Sequence, residues 1–107
     1  HGHHRRQRQM CIRDRDAAEL MIRKASWMLD SGLPCGAEAN MAKWLAADAC
    51  FFAADRAMQT HGGFGYASEY HVERYWREAR LQKIAPISQE MIQNYVAEHV
   101  LELPRSY

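Results

Sequence analysis

The chain has 107 residues, 48% of them hydrophobic and 25% charged, and a net charge of +1. That length bounds it to one domain, and the composition is that of an ordinary globular protein. The near-neutral charge excludes a global electrostatic argument for nucleic acid or a membrane surface, and no apolar run approaches the roughly 20 residues of a membrane span.

Three cysteines, Cys11, Cys35 and Cys50, stand far apart with no Cys-x-x-Cys among them. This usage predicts a reducing, cytoplasmic setting and no structural zinc. The basic start lacks the apolar stretch that a signal peptide needs.

Residues 1–15 read HGHHRRQRQMCIRDR and differ from the rest of the chain. They are arginine-rich and nearly devoid of apolar residues. The stretch is expected to be a disordered or foreign lead-in, resembling translated adapter sequence. A basic arm for phosphate-bearing partners and a metal site at His1, His3 and His4 are weaker readings, because neither has supporting spacing or aromatics. The domain proper is expected at residues 16–107.

Helix one is predicted from Asp16 to Asp30. Ala18, Met21, Ile22, Ala25, Met28 and Leu29 recur at helical spacing. Asp14 or Asp16 is a candidate cap, and Gly32 followed by Pro34 ends the helix. Helix two is predicted from Ala37 to Thr60. It is alanine-rich and apolar nearly all round, with Met41, Trp44, Leu45, Phe51, Phe52 and Met58. Such a helix packs on more than one side, and Trp44, Phe51 and Phe52 are candidates for a self-association surface. Asp48, Asp55 and Arg56 interrupt it and are expected to find ionic or hydrogen-bonding partners.

Gln59-Thr60-His61-Gly62-Gly63-Phe64-Gly65-Tyr66 comes next. Three glycines in four positions allow a tight helix–helix turn. They also allow a backbone cradle for a phosphate, and the spacing does not decide between the two.

Helix three is predicted from Glu69 to Ile84, capped by Ser68, with Val72, Tyr75, Trp76 and Ala79 inward. Glu73 and Arg77, and Arg74 and Glu78, are spaced to pair across one turn. A break at Ala85-Pro86-Ile87-Ser88 precedes helix four, from Gln89 to Glu102, with Ser88 as its cap. Met91, Ile92, Tyr95, Val96, His99, Val100 and Leu103 share a face, which makes His99 a packing residue. No strand pattern and no internal repeat is present. The expected fold is all-α, an antiparallel four-helix bundle.

The order of motifs adds more. Gln59-x-x-Gly62-Gly63-x-Gly65-Tyr66, then Glu69-Tyr70-x-Val72-Glu73-Arg74-x-x-Arg77-Glu78-Ala79, resembles the C-terminal helical domain of acyl-CoA dehydrogenases. The resemblance covers Asp16 to Tyr107. It implies a fragment of an FAD-dependent oxidoreductase that dehydrogenates acyl-CoA thioesters at the α,β position. It also implies a homo-oligomer, dimer or tetramer, with FAD held between subunits, and an electron-transfer partner. Carried over, Gln59, Gly62 and Gly63 contact the flavin's diphosphate and adenosine portion from a neighbouring subunit. Ser88 and Glu90 stand where the family has further contacts, although a carboxylate beside a phosphate is unfavourable.

The sequence departs from the family at Pro86-Ile87-Ser88, where many members have Glu-Gly-Thr with the glutamate as general base. Proline cannot take a proton, so this chain is expected to carry no catalytic residue; it is expected to be inactive alone, because the family's β-domain that holds the flavin ring is absent from it. Two other readings remain open at this point: a related flavin oxidase or monooxygenase, and a cofactor-free helical interaction module.

Overall fold

The computed structural model describes residues 2–105, with side chains from Arg5 onward. The candidate metal trio His1, His3 and His4 therefore lies outside the described side chains. Among the described residues there are four α-helices and no strand: α1 (Gly2–Asp30), α2 (Gly36–His61), α3 (Val72–Gln82) and α4 (Gln89–His99). Two 3₁₀ turns, Gly62–Tyr66 and Ser68–Tyr70, join α2 to α3. The all-α class and the short connections are those read from the sequence.

The helix starts differ from expectation in two places. α1 begins at Gly2, so residues 2–15 are helical and not disordered. Arginine, glutamine and methionine are good helix formers. Gln7, Met10, Cys11, Asp14 and Ala18, spaced three and four apart, are the less exposed positions there. Neither Asp14 nor Asp16 caps a helix. Each instead pairs with the arginine before it, Arg13 at 3.8 Å and Arg15 at 3.2 Å.

α3 begins at Val72 and not at Glu69, because Ser68–Tyr70 forms a 3₁₀ turn and His71 adopts the left-handed conformation at φ 64°. Ser68 makes no side-chain cap. On α3 the Glu73–Arg77 pair forms at 3.6 Å. Arg74 lies over the Tyr75 ring at 5.2 Å instead of pairing with Glu78.

The stop of α1 and the cap of α4 are those expected, while α3 ends at Gln82 and α4 at His99, short of the predicted Ile84 and Glu102. α1 closes with Leu33 N–H donating to Met28 O and Gly32 N–H to Leu29 O, the paired bonds of a Schellman motif. Ser88 caps α4, its Oγ accepting from Met91 N–H at 3.3 Å.

α2 is the hub. α1, α3 and α4 each pack on it, and among the described residues none of those three packs on another. The buried core is Ala18, Ala42, Ala47, Val72, Ala79 and Ile92. Small side chains let the helix axes approach closely, but they bury little apolar area each. Much of the large apolar surface is left outside: Leu20 is 70% exposed, Trp27 62% and Leu29 68%.

Trp44, Phe51 and Phe52 are not that outer surface, contrary to expectation. All three are half-buried. Phe51 packs on Trp76 with centroids 5.6 Å apart and carries Lys83 Nζ at 5.1 Å from its ring. The Arg56 guanidinium covers Phe52. The interrupting charges of α2 find their partners: Asp55 with Arg56 at 2.6 Å, and Asp48 with Lys83 at 3.4 Å. His99 stacks on Tyr95 at 4.4 Å between centroids, on an exposed part of α4.

Candidate functional site

The turn after α2 gives its glycines three different jobs. Gly62 ends α2 at φ 62°, ψ −140°, a conformation open to glycine and strained for other residues, and its N–H donates to Gln59 O. Gly65 is buried, and a Cβ on it would lie 2.6 Å from Met58 O and 3.2 Å from His61 Cβ. Both are therefore required by the fold itself. Gly63 is neither strained nor crowded: a Cβ there would meet nothing within 4 Å. The described fold therefore does not require a glycine at Gly63.

Gln59, one helical turn before Gly62–Gly63, is exposed. Among the described residues its side-chain amide makes no hydrogen bond, so donor and acceptor both remain available. His61 is tied back to Ala57 O at 2.9 Å. Phe64 and Tyr70 pack with centroids 5.4 Å apart, which braces the outer wall of the turn.

Ser88 and Glu90 lie elsewhere. The corner before α4 is pinned to α2 at Asp48: Gln89 Nε2 donates to Asp48 Oδ1 at 2.7 Å, and Lys83 Nζ is 3.4 Å from the same oxygen. Eleven residues separate Asp48 from Gln59 on α2, or about 16 Å along the axis at 1.5 Å per residue. The expected contacts thus form two groups, Gln59 with Gly62 and Gly63 at one level of α2, and Ser88 with Glu90 at another. Ser88 Oγ accepts from Met91 N–H and so caps α4. Glu90 is exposed in the first turn of α4, where the helix dipole favours a carboxylate. Its place is explained without a ligand.

One titrating group is shifted. The Asp55 carboxyl is held below its ordinary value of 3.8, first by the hydrogen bond from Arg56 and then by that from Trp76, against a smaller opposing effect of burial. Both donors already occupy it, so it is a structural group and not a base. Among the described residues no cluster of three His, Cys, Asp or Glu is placed to hold a metal, and no helix is long and apolar enough to cross a membrane.

Grooves of about 470 and 500 Å³ flank α2 on its α1 and α3 sides, floored by Ala49, Cys50, Ala53 and Ala54. Their walls are mostly apolar, with Ile12 and Ile22 on one side and Val72 and Tyr75 on the other. They suit packing surfaces, lacking the convergent polar groups that orient a small ligand.

Sequence spacing does not separate the three glycines, because only the turn's backbone path shows which one is crowded. Tyr66, the last residue of the motif, is exposed beside this turn.

Comparison with known proteins agrees with the motif order. The family profile described as the acyl-CoA dehydrogenase C-terminal domain matches residues 1–101. The acyl-CoA dehydrogenase FadE12 of Mycobacterium tuberculosis is 48% identical over 99 residues, covering 91% of this chain and 26% of that protein. The probable acyl-CoA dehydrogenase YngJ of Bacillus subtilis is 38% identical over 87 residues, covering 81% of this chain and 23% of that protein. A 3-(aryl)acrylate reductase of Clostridium sporogenes is 34% identical over 87 residues, with 81% and 23% covered. The chain thus spans about a quarter of the length of these relatives. A chain in a solved structure of the electron transferring flavoprotein of Acidaminococcus fermentans superposes with a TM-score of 0.89 at 24% identity. That likeness covers 96% of this chain and 27% of the other, and it shows the fold. The chain belongs to the acyl-CoA dehydrogenase family and corresponds to its C-terminal helical domain.

Proposed function

We propose that this domain is the flavin-contacting and subunit-packing part of an FAD-dependent acyl-CoA dehydrogenase. The observation that carries this reading is Gly63, an exposed glycine with open space beside it that folding alone does not require. With the unbonded amide of Gln59, it offers a backbone surface and a hydrogen-bonding side chain to an anionic group. Gln59, Gly62 and Gly63 would hold the diphosphate and adenosine portion of FAD, and Ser88 would hold a separate part of the site. Glu90 fits a phosphate poorly. FAD, when bound, accepts the hydride removed from the acyl-CoA substrate.

Pro86 occupies the position where many relatives carry the base, and proline has no proton to exchange. The domain therefore supplies no catalytic residue, and the base belongs to another part of the enzyme. The isolated chain is expected to be inactive. Exposed Leu20 and Trp27, with the two grooves along α2, suit burial against the rest of the enzyme and further subunits. A homo-oligomer with an electron-transfer partner in the reducing cytoplasm fits this reading, as do the three free cysteines. Residues 16–107 are the domain proper, and residues 2–15 form the first part of α1.

The test is the intact enzyme carrying Gln59→Ala or Gly63→Ala. Loss of retained FAD with unchanged melting of the apoprotein supports the reading. Full retention of FAD favours a helical interaction module that does not touch the cofactor, a reading motivated by how much of the chain bundle packing alone explains.

A further inference from the structure

The connection from α3 to α4 has little apolar burial to hold it. Ile84 is 54% exposed and Ile87 41%, and Pro86 between them is exposed as well. Both ends of the connection are nevertheless fastened to α2 at one atom. Lys83, just before it, places Nζ 3.4 Å from Asp48 Oδ1. Gln89, just after it, donates from Nε2 to the same oxygen at 2.7 Å. The two ends also meet each other, Gln89 N–H donating to Lys83 O at 3.2 Å. Residues 84–88 thus form a loop closed at its neck on a single carboxylate.

The incoming side of that neck has further support from α2. Lys83 Nζ lies 5.1 Å from the Phe51 ring centroid, and Lys43 Nζ donates to Gln82 O. The outgoing side depends on Gln89. Among the described residues no other hydrogen bond or ion pair joins residues 84–89 to α2. Asp48 is 48% exposed at its side chain, and contacts between exposed charges add little to global stability. The clamp is therefore poorly explained as a means of holding the bundle together. It acts on the local opening of the loop, which has a free energy of its own, below that of global unfolding.

We propose that Asp48 is a positioning residue for the cofactor site: by holding Gln89 and Lys83, it sets where the corner carrying Ser88 stands. This rests on the reading of Ser88 as a cofactor contact, and it adds a residue that acts through Gln89. A ligand that binds only the closed corner has its affinity scaled by the fraction of chains in which the corner is closed. Asp48 raises that fraction before the ligand arrives.

Amide hydrogen exchange on the 107-residue chain tests the clamp, and FAD titration of the intact apoenzyme tests its consequence. Asp48→Ala should speed exchange at the Gln89 N–H roughly 5- to 20-fold, through loss of a partly exposed charge-assisted hydrogen bond and ion pair. The melting temperature should barely move. In the intact enzyme Asp48→Ala should weaken FAD binding roughly 3- to 10-fold. Gln89→Ala should also weaken it, and the double variant should be no weaker than Asp48→Ala alone. Unchanged exchange at Gln89 overturns the clamp. A sharp fall in melting temperature makes Asp48 a structural residue and overturns the proposal. Faster exchange with unchanged FAD affinity, in an enzyme that Ser88→Ala does weaken, overturns the positioning role and leaves the Ser88 contact standing. FAD affinity unchanged by both Asp48→Ala and Ser88→Ala removes this corner from the cofactor site and the proposal with it, while Gly63→Ala still tests the glycine turn separately. Losses that add in full in the double variant show that Asp48 acts by another route, which also overturns it.

Discussion

Trp76 Nε1 donates a 3.0 Å hydrogen bond to Asp55 Oδ1 across the α2–α3 contact. Arg56 holds the other oxygen of the same carboxylate at 2.6 Å. One side chain therefore fastens the glycine turn's outgoing helix to its incoming one, and it depends on being ionised. Its carboxyl titrates below the ordinary value of 3.8 in the folded chain. A depressed folded value adds stability that is present above the unfolded value and lost as pH falls through the folded one. Urea melts followed by tryptophan fluorescence should show wild type losing stability below about pH 4. The gap between wild type and Asp55→Asn should be wide at pH 7 and narrow at pH 3. An equal gap at both would contradict the role assigned to the carboxylate.

The glycines should separate in a stability series on the 107-residue chain. Gly65→Ala forces a Cβ onto Met58 O and should cost about 1–3 kcal/mol, as overpacking does. Gly62→Ala should cost on the order of 1–3 kcal/mol through its backbone conformation. Gly63→Ala should change nothing measurable by thermal melting. A loss at Gly63 matching that at Gly65 would return the turn to a purely structural role.

How much of this is legible in the sequence depends on which physics decides each feature. Periodicity and local chemistry locate the helices, the Ser88 cap and the stop at Gly32–Pro34, because those depend on neighbours within one turn. The start of α3 escapes, since His71 takes a left-handed backbone that nothing in its residue type announces. Residues 2–15 escape for another reason. Their arginines suggest a solvated tail, yet the less exposed positions keep the helical spacing of α1. Phe51 reads as outer surface because its partners, Trp76 and Lys83, are fixed only by the packing of helices; Arg56, which covers Phe52, lies one turn further along the same helix and is within reach of sequence spacing. The candidate site is visible as a motif. That the corner before α4 meets α2 at Asp48, about 16 Å along that helix from Gln59, follows only from the contact of Gln89 with Asp48.

The exposed face of α1 gives a third prediction. Leu20 and Trp27 are seven residues apart, two helical turns, and both project into solvent. Leu20→Lys with Trp27→Ser should lower the self-association of the chain in sedimentation velocity without lowering its helicity. An unchanged association profile would mean that another surface mediates it.

Removal of residues 1–15 tests the domain boundary. Their described side chains include no fully buried residue, and the nearest core position is Ala18. The 16–107 chain should keep a cooperative thermal transition close to that of the parent, with helicity reduced by the residues removed. Loss of the transition would make the extension part of the folding unit.

The most direct measurement is the FAD retained per subunit by the intact enzyme carrying Gly63→Ala, set beside the melting temperature of the 107-residue chain with the same change. A clear loss of FAD with an unchanged melting temperature is the expected result. Full retention of FAD, or a melting temperature that falls with it, would contradict the claim that this glycine is kept open for the cofactor.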